Sequence, residues 1–122
     1  MANYIDGFVH PIPKKHLDEY KNIAEKIAGI WKEHGAIAYF EYVGDDLKLD
    51  GTRSFAELVD AKEDEVVLFG WVVFPSREVR DKANKQVPLD TRMTDLITPL
   101  INSERIIFDA KRMAYGGFQS LI

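Results

Sequence analysis

The chain has no cysteine. That removes a disulfide framework, a thiolate metal site and a cysteine nucleophile together. Its three histidines, His10, His16 and His34, show no H-x-x-x-H spacing, so no zinc or other metal site is expected. No apolar run approaches the roughly 20 residues of a membrane-spanning helix. The opening M-A-N-Y-I-D has no basic stretch followed by an apolar one, so no signal peptide is expected and the cytoplasm is the expected compartment. No glycine-rich turn lies between a strand and a helix, which leaves nucleotide phosphates without their usual cradle, and no serine sits in a G-x-S-x-G elbow. Charge of one sign is also missing. Lysine and arginine number 16 against 20 acids, net −4, and the two signs are interspersed, which argues against nucleic acid. The expectation is one domain over 1–122, with no cofactor and no membrane or nucleic-acid partner.

What the sequence does contain is a run of nine uncharged residues, Val66 to Phe74, between a cluster of acids and Pro75. Val66, Leu68, Gly70, Val72 and Phe74 share one face of a strand, and Val67, Phe69, Trp71 and Val73 the other. Neither face is polar, so this is the centre of a sheet with both sides shielded. Gly70, without a side chain in mid-strand, marks a bulge or a close approach to the backbone.

Around that run the chain reads in order. Tyr4 to His10 alternates as a strand, which Pro11 and Pro13 should end. Leu17, Tyr20, Ala24, Ile27, Ala28 and Trp31 recur at helical spacing, predicting an amphipathic helix over 14–34 closed by Gly35 as a left-handed cap. Residues 36–43 (A-I-A-Y-F-E-Y-V) form a second strand. Ser54-Phe55-Ala56-Glu57 matches a capping box for a short helix. Ser76 caps a second main helix with Val79, Ala83 and Val87 inward, and Asp90 caps a segment carrying Met93, Leu96, Ile97 and Leu100. Residues 111–121 close the sheet.

The order β-α-β-β-α-β predicts an α+β, ferredoxin-like fold: a four-stranded antiparallel sheet with both main helices on one face. Right-handed crossovers place the first and third strands in the middle. Such a sheet is about 19 Å wide, and two helices of ~10 Å cover one face of it. The other face carries apolar side chains and has no helix left to cover it. A patch of that kind rarely stays wet, so the expectation is a homodimer, sheet face against sheet face. The alternative is that segments 54–61 and 90–100 fold over that face.

Several stretches are familiar together: Y-I-D-G-F-V (4–9), E-H-G-A (33–36), V-G-D-D-L (43–47), the central run with P-S-R-E-V-R-D (75–81), D-T-R-M (90–93) and F-D-A-K-R-M-A-Y-G-G-F (108–118). They resemble the YbaA-like family of bacterial proteins of unknown function, and the likeness runs through nearly the whole chain. Thr91 stands where proline is expected and Ala110 where glycine is common; both are turn positions. The resemblance implies kinship in fold with the dimeric α/β-barrel superfamily, whose members pair two ferredoxin-like sheets. That superfamily includes cofactor-independent monooxygenases, isomerases and lyases, haem-degrading proteins and ligand-binding modules, and fold alone does not choose among them.

The candidate ligand-binding residues are Asp6, His10, Trp71, Arg112 and Tyr115. Asp6 on a central strand and Arg112 on its expected neighbour could form a bidentate pair. The plain reading is an ion pair that fixes strand register; the functional one is that Arg112 clamps an anionic ligand while Asp6 orients it. His10, at the rim of the first strand, is either a surface residue or a base near neutral pH. Trp71 and Tyr115 could line an apolar pocket, with core or dimer interface the simpler role for Trp71. Three functions follow: a homodimer binding a small organic ligand between sheet and helices, a cofactor-independent enzyme using the same cavity with His10 or Asp6 as base, or a structural or stress-related interaction module.

Overall fold

The structure, a computed structural model, describes residues 3–122. Met1 and Ala2, part of the segment read above for a leader, lie outside the described residues. The elements are β1 (Tyr4–Pro13), α1 (Leu17–Glu33), β2 (Ala38–Val43), α2 (Phe55–Leu58), β3 (Glu65–Phe74), α3 (Arg77–Gln86), α4 (Thr91–Ile97) and β4 (Ala114–Gln119). The four strands form one sheet in the order β2-β3-β1-β4, with all three pairings antiparallel. This is the α+β, ferredoxin-like arrangement, with the first and third strands central.

The local causes are visible residue by residue. Ser76 accepts from the Val79 amide at 3.2 Å and starts α3, and Asp90 accepts from the Arg92 amide at 3.0 Å and starts α4. Such caps satisfy amides that the first helical turn leaves free. Gly35 ends α1 at φ +111, a conformation that a side chain disfavours. At Gly70, a Cβ would come within 2.5 Å of Phe8 Cζ. The close approach expected there is the Phe8 ring, lying on the bare backbone of the strand opposite.

The prolines do not end β1, which runs on through Pro11 and Pro13. Lys14 donates its amide to Asp64 at 2.9 Å, so in the alternating ladder the amide positions of residues 11 and 13 face away from β3, towards the β4 side. There β4 has already stopped at Ala114, opposite Val9. No ladder bond is lost, so proline is tolerated.

The core lies between the sheet and its helices. Phe8, Val72 and Phe74 meet Ile30 of α1, Ala83 of α3 and Met93 of α4. Trp31 packs there with its ring edge-on to Phe74, centroids 6.2 Å apart. A second group joins Ile12 and Leu68 to Tyr20, Leu100 and Ile107. On the opposite face, Val59 of the 44–64 segment covers Val9 and Val67, and Phe55 packs edge-on against Phe69 at 5.5 Å. Segment 54–61 therefore does cover one end of that face, whereas 90–100 packs on the helix side. Phe40, Tyr42, Phe69 and Phe118 remain exposed. Trp71 sits among three of them, stacked on Tyr42 at 5.5 Å and 5.1 Å from Phe40.

Candidate functional site

Two buried polar side chains point from β1 towards the helices. Asp6 is 0% and His10 1% exposed. They share a face because they are four positions apart on a strand, and the Phe8 ring stands between them.

Asp6 lies opposite Gly117 of β4. A Cβ at 117 would fall 2.7 Å from Arg80 Nη2, so the glycine leaves room for a guanidinium to reach in from α3. Arg80 Nε donates to Asp6 Oδ1 at 2.8 Å, and the Tyr115 hydroxyl donates to Asp6 Oδ2 at 2.6 Å. Arg80 also bonds Asp81 at 2.9 Å and lies over the Tyr4 ring at 5.3 Å. Both Asp6 oxygens are thus engaged. Burial, and then the bond to Asp6, push the Tyr115 hydroxyl above its ordinary value of 10.0.

The expected Asp6–Arg112 pair does not form. Arg112 falls before β4, in a turn at Ala110–Arg112, because the strand starts later than residue 111. Its Nη1 and Nη2 donate to the two oxygens of Glu65, each at 2.7 Å, and Nε to Asp109 at 3.0 Å. The Arg112 hydrogen bonds hold the Glu65 carboxyl below its ordinary value of 4.5. This pair ties the beginning of β3 to the turn before β4. It presents no free guanidinium to an anionic ligand.

His10 is not at a surface rim. Its Nε2 lies 3.2 Å from the Tyr20 hydroxyl and 3.5 Å from Glu41 Oε1. Tyr20 donates to Glu41 Oε1 at 2.5 Å, and Tyr39 donates to Glu41 Oε2 at 2.8 Å. Since the Tyr20 hydrogen is directed at Glu41, the arrangement assigns the His10 hydrogen to Nε2, donating to the Tyr20 oxygen. His10 Nδ1 is then a buried atom without a hydrogen-bond partner among the described residues. The phenyl ring of Phe108 closes on the imidazole edge-on at 5.4 Å. Burial, and then the nearby Glu41 carboxylate, raise the Tyr20 and Tyr39 hydroxyls far above 10.0.

This second cluster forms the floor of a cavity of about 430 Å³ between α1 and β2. Leu17, Ala24 and Ala28 wall it from α1, Val43 and Leu68 from the sheet, and Tyr20, Tyr39 and Glu41 supply the polar floor. Asp18, Lys21 and Glu25 stand at its rim. Its size falls in the roughly 300–1,000 Å³ range of small-molecule sites, which are mostly apolar with a few convergent polar groups.

The five candidates therefore separate. Asp6 and Tyr115 come together, with Arg80 as their unforeseen partner. His10 backs onto the cavity floor, Trp71 lies on the opposite face of the sheet, and Arg112 closes one end of it. The residues missed were Tyr20, Tyr39 and Glu41. Glu41 carried a signal, being the one charge in the apolar stretch 36–43. Among the described residues no group of three or more histidines, aspartates and glutamates is placed to hold a metal ion, and no helix is long and apolar enough to cross a membrane.

The chain matches the family described as "Protein of unknown function (DUF1428)" over residues 3–110. It is 40% identical over 119 residues to the "Uncharacterized protein YbaA" of Escherichia coli strain K12, covering 98% of this chain and 97% of that one. The same figures hold for the YbaA of Shigella flexneri. The chain belongs to the DUF1428 family. Among solved structures, a NIPSNAP family protein of unknown function from Agrobacterium tumefaciens superposes with a TM-score of 0.53, at 15% identity, over 98% of this chain and 87% of that one. At that identity the likeness concerns the fold alone. It accords with the ferredoxin-like sheet of this DUF1428 member.

Proposed function

We propose that this protein is a homodimer that binds a small organic ligand in the cavity between α1 and β2. The observation that carries the ligand reading is the convergence of Tyr20, Tyr39 and Glu41 oxygens on the floor of an otherwise apolar cavity of about 430 Å³. Apolar walls supply affinity by burial, and the few polar groups fix orientation. The dimer reading is supported by the exposed aromatic group around Trp71, which a second copy would cover about a two-fold axis. Two experiments test these readings separately. A thermal-shift screen of small organic molecules should find stabilising ligands by mass action, and Ala28→Leu, which fills the cavity, should abolish the shift. Sedimentation should give twice the chain mass, falling to the chain mass for Phe69→Glu. A chain mass for the unaltered protein at high concentration would remove the dimer.

A second reading, a cofactor-independent enzyme, is favoured by one observation. The chain His10 Nε2, Tyr20 hydroxyl, Glu41 carboxylate is a hydrogen-bonded path from a buried imidazole N–H to a carboxylate, the base of this reading, on the cavity floor. Asp6, with both oxygens engaged, is no longer the base of this reading. Tyr20→Phe cuts the path: it should stop turnover, and turnover that survives would count against the enzyme.

A further inference from the structure

The charge around the cavity narrows what it can hold, and this step rests on the ligand-binding reading above. Two other carboxylates of the sheet are buried, and each has a guanidinium. Asp6, at 0% side-chain exposure, has Arg80, and Glu65, at 5%, has Arg112. Glu41 is withdrawn to 11% exposure, yet among the described residues neither lysine nor arginine pairs with it. Its oxygens accept from the phenols of Tyr20 and Tyr39. The His10 ring, 3.5 Å away, gives its Nε2 hydrogen to Tyr20 in the arrangement assigned above. A buried carboxylate is costly unless a positive charge accompanies it. Phenol donors offset only part of that cost.

The rim is acidic on balance. Asp18 and Glu25 flank the opening from α1, with Lys21 between them. An anionic ligand would meet a carboxylate at the floor and two carboxylates against one lysine at the mouth. A cationic one would meet its counter-charge at Glu41 and the aromatic rings of Tyr20 and Tyr39 beside it, which also attract cations. The walls of Leu17, Ala24, Ala28, Val43 and Leu68 have nothing polar to offer the remainder of the molecule, which is therefore apolar.

From this we infer that the cavity binds a small organic amine: an ammonium head seated on Glu41 and an alkyl or aryl body lying along α1. The anionic ligand expected from Arg112 is replaced by its opposite, because that arginine is spent on Glu65 and lies away from the cavity lining.

The test compares three probes that share one body, n-hexylamine, 1-hexanol and hexanoate, by calorimetric titration of the unaltered protein near neutral pH. The amine should bind at least about tenfold tighter than the alcohol, a difference of about 1.4 kcal/mol, and hexanoate should be weakest. Glu41→Gln should erase the preference for the amine and leave the alcohol bound. If hexanoate equals or exceeds the amine, or if the preference survives Glu41→Gln, the charge assignment falls. If alcohol and amine bind alike, and Ala28→Leu abolishes both, the cavity remains a ligand site but not one for cations. If none of the three binds, the cavity reading falls with it. The ranking is read on the unaltered chain, so a Glu41→Gln chain that fails to fold leaves that ranking as the deciding result.

Discussion

Arg80 reaches from α3 across the edge of the sheet to put its Nε 2.8 Å from Oδ1 of Asp6, a carboxylate with no exposure at all. The contact bolts a helix onto a central strand. Removing one member of a buried pair leaves an unpartnered charge, at a cost of about 3–5 kcal/mol. Arg80→Met should therefore lose stability on that scale in denaturant unfolding, and adding Asp6→Asn in the same chain should recover part of it. Equal stability of Arg80→Met and the unaltered protein would show that the bolt carries no load.

Two glycines give opposite predictions. Gly70 faces the Phe8 ring and the Phe40 carbonyl, both within 2.5 Å of where a Cβ would stand. Gly70→Ala should cost about 1–3 kcal/mol by overpacking. Gly29 lies inside α1 with, beyond its chain neighbours and the backbone of its own helix, none of the described residues within 4 Å of its Cβ position. Gly29→Ala should stabilise by about 0.5–1 kcal/mol, since glycine is the poorer helix former. Thermal unfolding of both variants checks the signs.

The Glu65–Arg112 clamp sets an acid limit. The folded carboxyl is held below its ordinary 4.5 by Arg112, so on acidification the unfolded chain binds the proton first. The contribution is complete above the ordinary value and is lost as pH falls through the folded one. In acid titrations of stability, the gap between the unaltered protein and Glu65→Gln should be widest near neutrality and close at low pH. A gap that does not change with pH would mean that the clamp adds nothing electrostatic.

The alkaline side has its own limit. Tyr20, Tyr39 and Tyr115 are all raised above 10.0, burial being the first cause of each. Above that value the unfolded chain releases protons that the folded one keeps, so stability falls as pH rises. Tyrosinate absorbance from these three should appear together with loss of the folded circular dichroism signal. Tyr20→Phe should keep its fold to higher pH, and ionisation of these tyrosines without unfolding would contradict the burial argument.

Much of the architecture was legible because it rests on periodicity. The Val66–Phe74 run announced a central strand, though its Phe69 side is covered only at one end, and the stripe from Leu17 to Trp31 announced the long helix on its other face. Pairings between distant residues were less legible. Asp6 was matched to Arg112 because their strands are neighbours, but which residues face each other depends on where β4 starts, and the turn at Ala110–Arg112 delays it. Register then brings Gly117 opposite Asp6, and the gap admits Arg80 from another element. Tyr20 was legible only as one more member of an apolar stripe, because its ring behaves so. That its hydroxyl would meet Glu41 depends on how α1 lies across β2.

Pro11 is buried although the neighbouring strand ends two residues earlier, opposite Val9. Any other amino acid there would carry a hydrogen with no acceptor in the ladder and little water at hand. An imino acid has no such hydrogen to strand. The two prolines let the long central strand outlast its shorter companion, so that Ile12 can fill the far end of the interior without an orphaned donor beside it.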